Sequence, residues 1–312
     1  MTIRTTDIEH DLRIALALKS DDIYFALGGS EGRRLRAEYL GVGVFDGLAS
    51  DVFSEGNELL HIDLGRFEIA GHIRVLNEMI STGSLGLSER SGIPGHDIVR
   101  QDALDFVGHF LSSIPAVALG GLDSTSVRNG CLRRFYDRCS AWADLLEAIE
   151  EIFAEDPDLY RLRVSDLALL SGVELRSMRN RVGPDKPIRT SGIRSHRENA
   201  LGEASFVGVN TLDALDWLTA RRDFHIDKLS ESWVLQRMEA ATKRETLGRA
   251  AIVTALINFG PRTAIAHRLN WNEQKVNQWA EHGPTDNADD ARDLATLVGI
   301  DPENYAALCA NI

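Results

Sequence analysis

The sequence predicts a mainly α, multi-domain helical protein carrying one small β-hairpin. Three observations lead there. Residues 131–156, "CLRRFYDRCSAWADLLEAIEEIFAED", repeat apolar side chains at helical spacing, with Phe135, Trp142, Leu145, Leu146, Ile149 and Phe153 on one broad face. Two later stretches, 164–182 and 263–279, place small and apolar residues where a pair of short helices would cross at a tight turn. Between them, residues 183–209 are rich in Gly, Pro and Arg, a composition that interrupts helices and can hold a hairpin.

Length and composition bound the rest. A chain of 312 residues has room for two or three domains, and 44% apolar with 26% charged residues is the balance of a soluble globular protein. The first twenty residues mix acids and bases without a long apolar stretch, so no signal peptide is expected, and no apolar run approaches the roughly 18 to 20 residues that span a bilayer. Cys131, Cys139 and Cys309 are too few and too dispersed for a disulfide framework or a metal knuckle, which points to a reducing, cytoplasmic setting.

The formal net charge of −13 is unevenly spread. Residues 1–155 hold 14 Lys+Arg against 25 Asp+Glu, a net of −11, which leaves −2 for residues 156–312. Within residues 175–200, seven basic residues face two acids. Since salt screens exposed charges over about 8 to 10 Å, such a patch acts locally whatever the global charge.

Taken in order, residues 1–155 read as an acidic helical domain of short helices broken by glycine, followed by helices at 102–114 and 131–156, with dimerisation or sensing as its role. Pro157 marks the first boundary. Residues 156–226 then give short helices at 164–170 and 174–182, the hairpin stretch, and a helix over 211–224 capped by Asn210 or Thr211. Residues 227–312 give one or two linking helices over 227–258, the second short-helix pair, and two closing helices with Leu294, Leu297, Val298, Ile300, Tyr305 and Leu308 toward a small core.

Laid on the spacing of a helix-turn-helix, residues from Arg262 put Ile265, Ala266, Leu269, Trp271, Val276 and Trp279 at the buried places, and Asn270 at a turn position that favours a left-handed residue. The second helix then offers Asn272, Glu273, Gln274, Lys275, Asn277 and Gln278 outward. Amides pair bidentately with adenine edges in the major groove, and lysine reaches guanine or phosphate. In this pattern residues 249–309 resemble the all-helical DNA-binding domain of Cro and lambda-repressor-type regulators. A plain amphipathic hairpin inside a larger bundle is the competing explanation.

The stretch 164–182 follows the same spacing with Leu167, Ala168, Gly172, Val173 and Met178, departing at Ser171 and Arg181. With the hairpin and the Ala214, Trp217, Leu218 pattern behind it, residues 160–225 resemble excisionase or MerR-type winged helices. Arg176, Ser177, Arg179, Asn180 and Arg181 would lie on or beside its second helix, and Lys186, Arg189, Arg194 and Arg197 along the wing. Cations there suit phosphate neutralisation and counterion release; a solvated face is the bland alternative.

Catalytic signals are weak. "GGSEG" (28–32) matches the Gly-x-Ser-x-Gly elbow around Ser30, yet too little chain precedes it to build the hydrolase sheet. "GVGVFDG" (41–47) lacks dinucleotide-fingerprint spacing, and His61 and His72 are eleven apart. No enzyme activity, metal or cofactor is expected. The two resemblances together imply a cytoplasmic, bacterial-type transcriptional regulator that binds double-stranded DNA through two helix-turn-helix modules, the central one winged, and works as a homodimer. The alternative is a protein-interaction module of a toxin–antitoxin, phage or plasmid system.

Overall fold

The computed structural model describes residues 4–53, 56–114, 127–154, 159–196 and 204–311. It is mainly helical with one small antiparallel sheet, and it divides into two compact units, residues 1–80 with 87–140 and residues 81–86 with 141–312. The boundary expected at 155–156 lies outside the described residues.

In the first unit, α1 (Thr5–Leu27) and α2 (Gly29–Leu40) pack on each other across Gly28 and Gly29, both at positive φ, a conformation costly for residues bearing a Cβ. The expected short helices are therefore fewer and longer than the glycines suggested. Their interface encloses Arg36, fully buried, whose Nη1 donates to Asp21 Oδ1 at 3.0 Å while its guanidinium lies over the Tyr24 and Phe45 rings. Asp21 also accepts the Ala49 N–H at 2.8 Å, tying down α3 (Ala49–Val52). Further along come α4 (Glu68–Thr82), α5 (Arg100–Ser112) and α6 (Cys131–Ile152). The buried Asp11 carboxylate accepts the N–H of Leu132 at 3.0 Å, satisfying one of the unpaired donors at the start of α6. The "DIYFAL" segment before Ser30 is helix, not strand, and Ser30 lies in α2, so no strand–turn–helix elbow forms there.

The second unit takes residues 141–152 of α6 and continues with β1 (Leu162–Arg163), α7 (Val164–Ser171), α8 (Leu175–Arg179), β2 (Thr190–His196), β3 (Ala204–Val209) and α9 (Thr211–Thr219). The sheet order is β1-β3-β2, with Leu162 opposite Val209 and Arg194 opposite Phe206. The hairpin arises where the sequence allowed it, but β1 was not anticipated: two residues are too short to show alternation. Asn210 caps α9, its side chain accepting the Asp213 N–H at 3.2 Å, as expected. α9 stops at Thr219, short of the predicted 224.

α10 (Glu231–Glu239), α11 (Arg244–Phe259), α12 (Arg262–Leu269), α13 (Glu273–His282), α14 (Ala288–Val298) and α15 (Pro302–Asn311) complete the unit. α11 is its axis, buried continuously from Thr246 to Ile257. A helix buried on all sides must be enclosed, and α9, α10, α12, α13 and α14 all pack against it. Gly248 lets the Trp279 carbonyl and Gly283 approach the α11 backbone so closely that a Cβ would overlap both. Tyr305 from α15, wholly buried, donates its hydroxyl to the Leu247 carbonyl at 3.4 Å.

Candidate nucleic-acid interface

The two short-helix pairs share one turn geometry. α7 ends in Gly172 (φ 65, ψ 19) and α12 in Asn270 (φ 53, ψ 36), both left-handed. Asn270 is the one non-glycine residue at positive φ among the described residues. One residue later, the N–H of Val173 donates to the Ala168 carbonyl at 3.1 Å and that of Trp271 to the Ala266 carbonyl at 2.8 Å. Each pair thus closes with a Schellman-type cap, which satisfies otherwise orphaned carbonyls. Leu167 and Ile265, Ala168 and Ala266, and Met178 and Val276 are buried in matching places.

The pairs diverge in the second helix. Trp279, fully buried, anchors the far end of α13. The matching place in the first pair is Arg181, which is exposed, and α8 ends at Arg179 rather than continuing to 182. Without an apolar anchor, nothing repays ordering another turn of helix. Of the six apolar places in the second pair, Leu269 and Trp271 are half-buried rather than buried.

On the central pair, Arg176, Ser177, Arg179, Asn180, Arg181 and Lys186 are all exposed, and among the described residues none of their side chains has a hydrogen-bond or ion-pair partner. Met178, wholly buried between them, fixes α8. Lys186 sits in a turn held by Gly183 N–H to the Ile188 carbonyl at 3.0 Å. Arg194 occupies β2, while Arg197 lies outside the described residues.

Arg189 differs from these cations. Its Nε and Nη2 fork onto Asp213 at 2.7 and 3.1 Å, and its Nη1 meets Glu281 Oε1 at 2.6 Å. Asp213 also receives Arg262 Nη2 at 3.0 Å. Burial works to raise the Asp213 carboxyl, but hydrogen bonds from Arg189 and the charge of Arg262 hold it below its ordinary value. The nearby Asp216, which accepts the Arg262 N–H at 2.6 Å, is pushed up by burial. Sequence reasoning missed Asp213 and Arg262, because an acid in the first turn of a helix is expected on dipole grounds alone.

On α13 the expected outward face is partly spent. Asn272 is the helix cap, its Oδ1 accepting the Lys275 N–H at 2.8 Å. Lys275 turns inward to Asp290 at 2.6 Å, with its ammonium 4.4 Å from the centre of the Trp271 ring. Asn277 is half-buried with its Oδ1 shielded from solvent. Gln274 and Gln278 remain exposed, flanked by the exposed acids Glu273 and Glu281. Cys131, Cys139 and Cys309 are free thiols, and burial raises Cys309 to about 11.

No helix among the described residues is long and apolar enough to cross a membrane. Comparison with protein-family models, curated proteins and solved structures finds no match to this chain.

Proposed function

We propose that this protein is a sequence-specific binder of double-stranded DNA, acting in transcriptional regulation, with its phosphate contacts concentrated on the central module. The observation that carries the reading is the set of exposed cations Arg176, Arg179, Arg181 and Lys186 on and just after α8, which have no side-chain partner among the described residues. A surface that keeps guanidinium groups unpaired is suited to phosphates, whose contacts dominate DNA affinity. The element order around it supports the same reading: two short helices across a turn, a hairpin and a closing helix, α7 to α9 with β2 and β3. This is the order expected of a winged helix.

In the C-terminal module, Gln274 and Gln278 are the side chains placed to read base edges, and Lys275 is not offered to phosphate. A homodimer, meeting a two-fold operator, completes the proposal.

The direct test is selection of genomic fragments by the full-length protein at two salt concentrations, against a variant carrying Arg176→Ala, Arg179→Ala and Arg181→Ala. Enrichment of a defined site that weakens steeply with salt, and is lost in the variant, is the expected result. No enrichment by the wild-type protein would overturn the proposal. A second reading, protein contact through the C-terminal module, is favoured by the acids flanking Gln274 and Gln278; Gln274→Ala with Gln278→Ala would then leave the selected site unchanged.

A further inference from the structure

We infer that Arg189 is a positioning residue rather than a phosphate contact, and that through it Glu281 and Asp213 lock the hairpin to the C-terminal helix-turn-helix as one DNA-facing body. The inference rests on the DNA-binding reading for its consequence, and on geometry alone for the lock itself. Arg189 immediately precedes β2, so it sits at the root of the hairpin. Its backbone is held at both ends of the residue: the N–H donates to Asp213 Oδ2 at 3.1 Å, and the carbonyl accepts the Asn210 N–H at 2.9 Å.

Each of the three side-chain nitrogens meets a carboxylate. Nε and Nη2 are taken by Asp213 from α9, and Nη1 by Glu281 from the last turn of α13. Turning this guanidinium toward a phosphate would strip two arginine contacts from a carboxylate that is only 2% exposed. That would leave Arg262 as the one cation on a buried carboxylate, and removing a hydrogen-bonded partner from such a charge is costly, so the fork is held in place. Asp213 simultaneously takes Arg262, the first residue of α12. One carboxylate therefore joins the root of the hairpin to the start of the C-terminal motif, and Glu281 closes the same loop from that motif's second helix.

Arg189 and Arg179 look alike in the sequence, but the geometry gives them opposite tasks, and Glu281 discriminates between these. If Arg189 bound phosphate, Glu281→Gln would release it and remove a repelling charge, tightening DNA binding. If Arg189 positions the hairpin, the same change loosens it and weakens binding.

The experiment measures DNA affinity of the full-length protein against salt for wild type, Arg189→Gln, Glu281→Gln and the double variant, with Arg179→Gln as the phosphate-contact control. Both singles are expected to weaken affinity about five- to tenfold with an unchanged slope of log K on log salt, and the double variant to be no weaker than the worse single. Arg179→Gln is expected to lower the slope by about one. A lowered slope in Arg189→Gln together with tighter binding by Glu281→Gln would overturn the inference.

Hydrogen exchange of the β2 and β3 amides, measured without DNA, separates this inference from the DNA reading. Faster exchange in Glu281→Gln is the expected result, even if the wild-type protein selects no DNA. Unchanged exchange overturns the lock whatever the DNA result.

Discussion

Gly172 and Asn270 hold the same left-handed turn, each followed by an N–H that reaches back to the carbonyl of the alanine four residues before it. Two segments of one chain thus solve the same problem with different residues. Glycine pays no steric cost there, and asparagine is the side chain that tolerates the region best after glycine.

Substituting these turns should therefore be asymmetric. Asn270→Gly is expected to leave stability within about 0.5 kcal/mol, whereas Asn270→Val, a β-branched residue in a left-handed conformation, should cost about 1 to 2 kcal/mol. Gly172→Val should cost at least as much. Denaturant midpoints at constant m-value would check both.

Gly248 is a packing requirement of another kind. A methyl group there would overlap the Trp279 carbonyl and Gly283, both backbone, which cannot rotate away. Gly248→Ala should destabilise the second unit by about 1 to 3 kcal/mol through displacement of α13 from α11. Near-ultraviolet circular dichroism of the tryptophans would report the displacement.

The buried Arg36–Asp21 pair of the first unit should show the cost of an unpaired charge. Arg36→Met or Asp21→Asn alone should lose about 3 to 5 kcal/mol, and pairing Arg36→Met with an apolar replacement of Asp21 should recover part of that loss. A double-mutant cycle by urea unfolding measures the coupling.

The buried carboxyls Asp144 and Asp166 should make stability pH-dependent. Burial raises Asp166 to about 6, the neighbouring Asp144 carboxylate adds to the rise, and the Arg163 N–H opposes it; burial raises Asp144 as well. Between about pH 4 and 6 the folded protein binds the proton more readily than the unfolded chain, so stability from this site falls as pH climbs through that window and is lowest above it. Asp166→Asn keeps the oxygen that accepts the Arg163 N–H. It should raise the denaturation midpoint at pH 7 relative to wild type while changing it little at pH 4.

On the surface proposed to face DNA, single Arg176→Gln, Arg179→Gln and Arg181→Gln changes should each weaken binding and lower the salt slope by about one, with the melting temperature unchanged because none of these side chains has a structural partner among the described residues. Lys275→Gln should do the reverse. It removes the ion-pair partner of Asp290 and lowers stability, without altering the slope.

Much of the helical framework was legible because its causes are local. The apolar face of α6 and the Asn210 cap of α9 are set by residues within one or two turns of each other. Strand β1 and the early end of α8 were not. A two-residue strand exists only because β3 lies beside it, and α8 stops because Arg181 finds no core to enter.

The sequence by itself determined the two turns, since a left-handed residue and its cap involve only a handful of consecutive residues. What only the tertiary structure decided is which cations have partners among the described residues. Nothing within a few residues of Arg189 distinguishes it from Arg179. The partners that do, Asp213 and Glu281, lie 24 and 92 residues further along the chain. Lys275 is likewise drawn inward by Asp290, which belongs to another helix. Electrostatic pairing depends on distance in space, and separation along the chain carries almost no information about it until the helices are packed.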